Sequence, residues 1–426
     1  MNKTMKTIAL MGAAALTLSA CRSARVDKKA DSDMAQWTTD DLVDDTYLIL
    51  SDAQRDLVER NNGFAFRLFR QTMGMDSRVL SPLSVTYLMG MLANGADGAT
   101  RQQILTTLGL TDDGQGQQSL QEMNDFARMM MDKAGRLDKA VTVDVANYIA
   151  LNRQVQVRNQ FQKTVERDYQ AGVESLDFTS SKTLKRINGW CSQHTRGMIP
   201  TIIDSVDPSA VSYLMNAIYF CGSWAEKFDK NDTKVEPFRG YTRDIKRVNM
   251  MHRHDEYRYA DGEGYSAVQI PYGNGAYQMT VLLPVNGKSV DEMMAKMDGA
   301  AFRSLLGRMD KCEVDLKLPR FTTEVEQPLN DVVSALGSPL IFSPQADFSQ
   351  FASGQFSVSK VLQKAKIEVS EEGTKASAVT AAIMVMSALQ PEGPRRVTFH
   401  ADHPFAYVIS ERSTGSIFFM GQYTGD

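Results

Sequence analysis

The stretch that organises this 426-residue chain, residues 368–405, reads EVSEEGTKASAVTAAIMVMSALQPEGPRRVTFHADHPF. Its acidic start ends at Gly373, and the sixteen residues that follow, up to Leu389, carry one charge, that of Lys375. A cluster of proline and glycine closes the run at 391–394. The run is too short for a membrane span, which needs about 20 apolar residues.

Two local structures fit this run. Its alanine content favours a buried helix, which is the structure that composition alone predicts. The two-residue period of a β-strand, however, gathers small side chains on one face. The residues on that face are Thr374, Ala376, Ala378, Thr380 and Ala382. Lys375 falls on the other face. The run is therefore suited to become a strand of a packed sheet, although it need not be one at all times.

The flanks of the run favour the strand. The segments EEGTKASA before it and FHADHPF after it resemble the hinge and the distal signature of the serpin family. The resemblance implies that the run is an exposed reactive-site loop, at about 373–397. It also implies an α+β serpin fold with three β-sheets and about nine helices, in a single domain over 51–426. The hinge positions that match the family are Glu371, Glu372, Gly373, Thr374, Ala376 and Ala378.

Other blocks of the chain are similar to serpins in the same order, from about Ser51 to Tyr423. These blocks are LSPLSV at 80–85, GADGATRQQI at 95–104, INGW at 187–190, NAIYFCGSW at 216–224 and LPRF at 318–321. Several blocks in the expected order make the resemblance far more specific than any single motif.

The resemblance assigns four residues to a shutter beneath the main sheet: Ser81, Ser84, Asn216 and Gln363. Gln363 departs from the family, in which a histidine is usual at this position. Because an amide both donates and accepts hydrogen bonds, a Ser84–Asn216–Gln363 network is predicted. Ser81 also has a purely structural interpretation as a helix N-cap, with Pro82 at the first helical position.

The resemblance also assigns Trp224, Arg320 and Glu371 to a breach, the point where the loop enters the sheet. An ion pair between Arg320 and Glu371 is expected to hold the loop exit in place. A partly exposed pair of this kind contributes at most about 1 kcal/mol. The simpler interpretation of Trp224 is a large aromatic side chain that closes one end of the core.

The function that the resemblance implies is suicide inhibition of serine proteases, through a covalent acyl complex that forms when the loop is cut. In that family the bond lies about fourteen residues after the hinge glycine, which gives Ser387–Ala388, with Met386–Ser387 as the alternative register. Medium and small apolar residues there suit elastase-like, chymotrypsin-like or subtilisin-like proteases, since pocket shape sets preference at the cut. Papain-like cysteine proteases are a further target class.

Two other classes of function are alternatives to inhibition. A serpin-fold binding protein that is cut as a substrate is the alternative, although the small hinge residues argue against it. The chain has no Gly-x-Ser-x-Gly, His-Glu-x-x-His or phosphate loop, so no enzyme and no cofactor is predicted. His252, His254 and Asp255 are interpreted as a solvated hairpin tip rather than a metal site, because no third ligand is nearby in sequence.

The N-terminus resembles a bacterial lipoprotein. Residues 1–20 form a signal peptide, and Cys21 follows small residues where a lipidated cysteine would stand; an ordinary secretory signal with a chance cysteine is the alternative. Residues 21–50 would then be the lipidated cysteine and a flexible tether, in which the polar coil of about 24 residues at 22–45 would span roughly 25–30 Å on average. The expected location is a bacterial membrane, facing the periplasm or the cell surface.

Charge and cysteine content set further expectations. The formal net charge of −4 gives no reason to expect a nucleic-acid partner, and the protein is expected to be a monomer. Besides Cys21 the chain has Cys191, Cys221 and Cys312, whose spacing does not predict a zinc site. Buried free thiols are therefore expected.

Overall fold

The computed structural model describes residues 47–110, 116–242, 244–285, 287–374 and 394–426. These residues form a mixed α+β fold with nine α-helices and fifteen strands. The helices are α1 (Asp52–Thr72), α2 (Pro82–Gly95), α3 (Gly98–Thr107), α4 (Gly116–Lys133), α5 (Asn159–Asp168), α6 (Ser181–His194), α7 (Val290–Ala295), α8 (Gly299–Gly307) and α9 (Asn330–Ala335). The strands are β1 (Arg78–Leu80), β2 (Val141–Asn152), β3 (Gly172–Leu176), β4 (Ser212–Ser223), β5 (Lys234–Arg239), β6 (Ile245–Gly262), β7 (Tyr265–Tyr272), β8 (Tyr277–Pro284), β9 (Asp310–Pro319), β10 (Phe321–Pro328), β11 (Leu362–Ser370), β12 (Gly373–Thr374), β13 (Arg396–His400), β14 (Phe405–Glu411) and β15 (Ile417–Tyr423).

Helix α2 is the central helix of the fold. Ser81 caps it by accepting a hydrogen bond from the Ser84 amide, and Pro82 stands at its start, as the sequence predicts. Nearly all of its residues are buried, as expected for a helix that is apolar on every side. It packs against both β4 and β15, so it lies between the two sheets of the fold.

Hydrogen bonding joins the described strands into two continuous sheets rather than the three that the sequence predicts. The larger sheet has the order β1-β15-β14-β8-β7-β6-β9-β13, with β5 also paired to β6. The reason is the length of β6, which pairs with β5 along its first part, with β9 along its middle and with β7 at its end. One long strand therefore merges two ladders.

The smaller sheet, called the main sheet here, has the order β10-β11-β12-β4-β2-β3. Its strand β12 has only two residues and pairs antiparallel with both neighbours. Gly373 lies opposite Ser370 of β11 and Ser223 of β4, and Thr374 lies opposite Val369 and Gly222. The first residues of the loop therefore already occupy the position of a strand in the middle of the sheet.

Helix α6 covers the outer face of the main sheet. The Trp190 ring stacks on Tyr148 of β2 with centroids 4.8 Å apart, and Arg196 forms an ion pair with Asp144 of β2 at 2.9 Å. Cys191 of this helix is buried in the same contact. Burial raises the pKa of the Cys191 thiol to about 12, so it stays protonated.

Three further features of the fold bear on the expectations from the sequence. Cys191, Cys221 and Cys312 are free and buried, as predicted. Leu48 and Leu50, which fall within the predicted tether, are buried in the core, so packing begins before residue 51. No helix in the described ranges combines the length and apolar character needed to cross a membrane.

Candidate functional site

The hinge is a tight entry into the main sheet that requires glycine at position 373. Gly373 has φ of +141°, a region that side-chain-bearing residues rarely adopt. A Cβ added there would lie 2.1 Å from the carbonyl oxygen of Gly222 and 2.8 Å from the amide nitrogen of Trp224. The backbone of the hinge therefore approaches β4 more closely than any other residue would allow.

Thr374 points from this entry into the protein core. Its side chain is 1% exposed, and its hydroxyl lies 2.7 Å from the hydroxyl of Tyr272. Burial raises the pKa of Tyr272 well above its ordinary value, so this contact is a neutral hydrogen bond. Thr374 is the first residue of the small-residue face that the sequence predicted to enter the sheet, and its side chain points into the core.

The predicted breach residues meet at the hinge. The Trp224 indole donates to the Ser370 carbonyl at 2.9 Å, and the ring stacks on Tyr272 with centroids 4.5 Å apart. Arg320 Nη1 lies 3.5 Å from Glu371 Oε1, which confirms the predicted ion pair. The Glu371 side chain is 4% exposed and that of Arg320 47%, so the pair is partly screened by water.

Three residues bind the hinge acids although the sequence had not predicted them as hinge partners. Thr233 donates to Glu371 Oε1 at 2.8 Å, and Lys227 and Lys230 bind Glu372 at 2.7 and 3.0 Å. The hydrogen bonds from the two lysines lower the pKa of Glu372. This interaction is therefore present at neutral pH and is lost only as the pH falls through that lowered value. Lysine side chains in a loop carry no local pattern that would have identified them.

The shutter forms a neutral hydrogen-bond chain under the middle of the main sheet. Ser84 donates to Asn216 Oδ1, and Asn216 donates to Asn147 Oδ1 at 2.6 Å. Asn147 then donates to the Tyr169 carbonyl at 2.6 Å. Asn147 was missed, although it stands in a strand-like segment where a buried asparagine requires partners.

The predicted Ser84–Asn216–Gln363 network is wrong at Gln363. Its side-chain amide instead binds the backbone of Ser81 twice, accepting from the amide nitrogen at 3.0 Å and donating to the carbonyl at 2.8 Å. Gln363 is 6% exposed. These two bonds tie β11 to the N-cap of the central helix α2 rather than to Asn216 of β4.

A cavity of about 550 Å³ lies at the end of the main sheet opposite the hinge. Its walls are the start of β4, from Ser212 to Leu214, and the segment 355–361 that leads into β11. Its apolar floor includes Leu88 and Leu92 of α2 and Phe161 of α5. The space between the lower ends of β4 and β11 is therefore open and apolar at its base.

Comparison with known proteins bears on this arrangement. The chain matches the family described as Serpin (serine protease inhibitor) over residues 59–425. The chain belongs to the serpin family. Serpin B6 of Pongo abelii is 31% identical over 380 residues, covering 86% of this chain and 99% of that protein. Iripin-2 of Ixodes ricinus is 31% identical over 389 residues, covering 88% and 95%.

Solved serpin structures share the fold. The native state of the thermophilic serpin Tengpin aligns with a TM-score of 0.78 and 27% identity, covering 89% of this chain and 95% of that one. Human thyroxine-binding globulin complexed with thyroxine aligns with a TM-score of 0.77 and 24% identity, covering 87% and 98%. Most members of the family inhibit proteases, and the second structure has the same fold in a protein that binds thyroxine.

The distal end of the serpin loop is held by β13, an edge strand of the larger sheet. Arg395 binds Asp261 at 2.8 Å, and Arg396 binds Glu313 of β9 at 2.7 Å. His400 of β13 contacts Asp315 of β9 at 2.9 Å. Two consecutive arginines therefore fix the chain where it leaves the loop.

The predicted hairpin tip at His252, His254 and Asp255 is wrong. These residues lie in the middle of β6, where His252 contacts Asp315 at 2.6 Å and His254 contacts Glu313 at 2.9 Å. The two-residue period of β6 places both histidines on one face of the sheet, diagonally opposite Asp315 and Glu313 of β9. The sequence could not show this because the two strands are far apart in the chain. In the described ranges no set of three or more histidine, cysteine, aspartate or glutamate side chains is placed to hold a metal.

Several predicted positions lie outside the described residues. They are the hinge alanines Ala376 and Ala378, the candidate bonds at Met386, Ser387 and Ala388, and the lipidation site Cys21.

Gln363 offers a direct test of the revised shutter. We expect Gln363→Leu to lower the free energy of unfolding by about 1–3 kcal/mol, because it leaves the buried Ser81 amide unpaired, whereas the Ser81 carbonyl keeps its bond from the Val85 amide. Urea unfolding followed by circular dichroism measures this. Gln162→Leu, at a partly exposed glutamine of α5 whose side chain bonds only Glu166 among the described hydrogen bonds, is the matched control and should change little. Equal stabilities of the two variants would contradict the assignment.

Gly373 offers a test of the hinge entry. We expect Gly373→Ala to lower the free energy of unfolding by about 1–3 kcal/mol, because of the positive φ and the clash with Gly222. Gly189→Ala is the control, since a Cβ there meets nothing within 4 Å and alanine favours helix. If both variants were equally stable, the entry would not depend on glycine.

Proposed function

We propose that this serpin is a suicide-substrate inhibitor of serine proteases. The observation that carries the proposal is the position of β12 between β11 and β4, with its glycine packed against β4. The first two residues of the loop, Gly373 and Thr374, are already paired as a strand of the main sheet. Further residues of the loop would extend the same ladder of hydrogen bonds. A loop that served only as an exposed substrate would not need this entry.

Continuing the register of β12 gives the inserted state that we propose. Each further residue of the loop would pair one position lower on β4 and on β11. Thr380 would then lie between Asn216 and Gln363, and residue 384 would reach Ser212 at the start of β4. The inward positions would carry the small residues of the predicted face, and the loop would end over the cavity at the far end of the sheet.

The energy of this process comes from adding one strand to the sheet. About ten residues would exchange water for sheet hydrogen bonds, each worth about 0.5–1.5 kcal/mol net. The uncut loop is tethered at both ends, by the hinge and by β13, so it cannot complete the strand. Cutting the loop frees one end, so the native fold is a kinetically held state that cleavage releases.

The chemistry at the cut follows from the proteases that we propose as targets. The serine hydroxyl of the protease attacks the carbonyl of Ser387, or of Met386 in the alternative register, and the bond to the next residue breaks. The protease is left as an ester on the shortened loop. Insertion along the twelve residues of β4 would carry this ester about 40 Å, at about 3.4 Å per residue.

The apolar residues before the proposed bond suit elastase-like, chymotrypsin-like or subtilisin-like pockets. Papain-like cysteine proteases form the corresponding thioester by the same route. The chain is thus proposed as an inhibitor that uses the enzyme chemistry of its target and none of its own.

We also propose that the protein is a bacterial lipoprotein that Cys21 holds to a membrane, facing the periplasm or the cell surface. Metabolic labelling with a fatty acid tests this, and the label should be lost in Cys21→Ala.

The test of the function is a denaturing gel after mixing the full chain with an elastase-like protease. A band at the summed mass that resists denaturant is expected, and mass spectrometry of the released peptide gives the bond that was cut. Protease inactivated at its serine should give no such band. Cleavage by every protease class without this band would instead support the alternative, a binding protein with the serpin fold that is cut as a substrate.

Thr374 gives a sharper prediction within the same experiment. We expect Thr374→Arg to be cut at the normal rate but to form little covalent complex, because a charged side chain would replace one that is 1% exposed beside Tyr272. Lys375→Arg is the control, since the strand period places Lys375 on the opposite face. Equal yields of complex from the two variants would contradict the proposed direction of insertion.

A further inference from the structure

A short segment after β4, called the breach segment (residues 224–233), closes over the turn that leads into β12. The Trp224 amide donates to the Glu372 carbonyl at 3.0 Å, and the Phe228 amide donates to the Glu371 carbonyl at 3.0 Å. Lys227 and Lys230 add two ion pairs to the Glu372 carboxylate. Backbone and side chains of one segment therefore hold both residues of the turn.

The position of the turn gives these contacts their consequence. Ser370 lies opposite Gly373, so Glu371 and Glu372 are the two residues that reverse the chain from β11 into β12. A two-residue strand has few hydrogen bonds of its own to keep it in a sheet. Contacts that hold Glu372 therefore also hold the first pair of the ladder that insertion would extend.

Both lysines form their ion pairs with Glu372 of the hinge, although other carboxylates lie close to them in the sequence. Glu226, Asp229 and Asp232 lie in or beside the same loop, yet within the described residues the ion pairs of Lys227 and Lys230 are both with Glu372. Glu226 is paired with Arg253 instead. Neighbouring Glu371 is bound by Arg320 and Thr233, so the two acids of the turn have separate sets of partners.

We infer that Lys227 and Lys230 are positioning residues that hold the hinge turn in its entered position and thereby set how fast the loop inserts after cleavage. The effect on inhibition rests on the proposed function, whereas the effect on the hinge does not. The two lysines contact the hinge turn itself. They act by keeping the nucleus of the new strand formed before the cut is made.

The expected size follows from the exposure of the pairs. The side chain of Lys230 is 68% exposed and that of Lys227 31%, so water and salt screen both interactions. Exposed pairs of this kind alter an equilibrium only a few-fold each. Loss of both lysines should therefore raise the opening of β12 by roughly threefold to tenfold.

Hydrogen–deuterium exchange of the full chain, followed at the backbone amides of residues 372–374, measures this opening without any protease. The variant Lys227→Ala/Lys230→Ala should exchange roughly threefold to tenfold faster there. Lys296→Ala, which removes an exposed pair with Glu263 of similar length, is the matched control and should leave these amides unchanged. Unchanged exchange in the double variant would overturn the inference.

Two further arms separate a charge effect from general damage to the fold. Raising the salt concentration should speed exchange at residues 372–374 more in the unmodified chain than in the double variant, which keeps only the Arg320–Glu371 pair at this turn. Reversing all three charges, with Lys227→Glu, Lys230→Glu and Glu372→Lys together, should restore slow exchange that Glu372→Lys alone has lost. Absence of both the salt effect and the restoration would also overturn the inference.

The consequence for inhibition is measured separately. With a protease that forms the covalent complex, the double variant should leave a larger share of its molecules cut but not coupled, because slower insertion gives water more time to release the protease. An unchanged share would remove the kinetic role of the lysines. If no protease forms a complex at all, the proposed function fails, while the exchange result still decides whether the lysines hold the hinge.

Discussion

The close contact between Gly373 and β4 is the constraint on which the rest of the site depends. It places the start of the loop inside the main sheet, so the strands on either side cannot close directly on each other at that end. Trp224 and Tyr272 stack beneath this entry, and Thr374 is bonded to the same tyrosine. One residue without a side chain thus couples the loop, the sheet and the aromatic core.

Different interactions hold the hinge end and the middle of the main sheet. At the hinge end, charges on Glu371 and Glu372 are bound by cations that are partly exposed to water. In the middle, Asn216 and Asn147 form a neutral chain on one side, and Gln363 binds the Ser81 backbone on the other. Because the two sides of the shutter have separate partners in this chain, a strand could pass between them without breaking a bond from one to the other.

How much the sequence predicted depends on whether a property is local or comes from packing. The small residues of the loop, the cap at Ser81 and the Arg320–Glu371 pair follow from ordered motifs, and the structure has the last two in place. The merging of sheets through β6 and the partners of Gln363, Lys227 and Lys230 could not be predicted. These features depend on which distant strands and loops pack together. A long polar side chain can bond to any of several nearby groups, so its partner cannot be read from the sequence.

The proposed mechanism requires that a strand held outside the main sheet of the native chain stabilises the fold when it enters the sheet. Thermal unfolding of the full chain before and after a single cut in the loop tests this most directly. If about ten residues add sheet hydrogen bonds, the midpoint should rise by about 10 °C or more. A midpoint that stayed the same or fell after the cut would contradict the account, because the loop would then have no place in the sheet to fill.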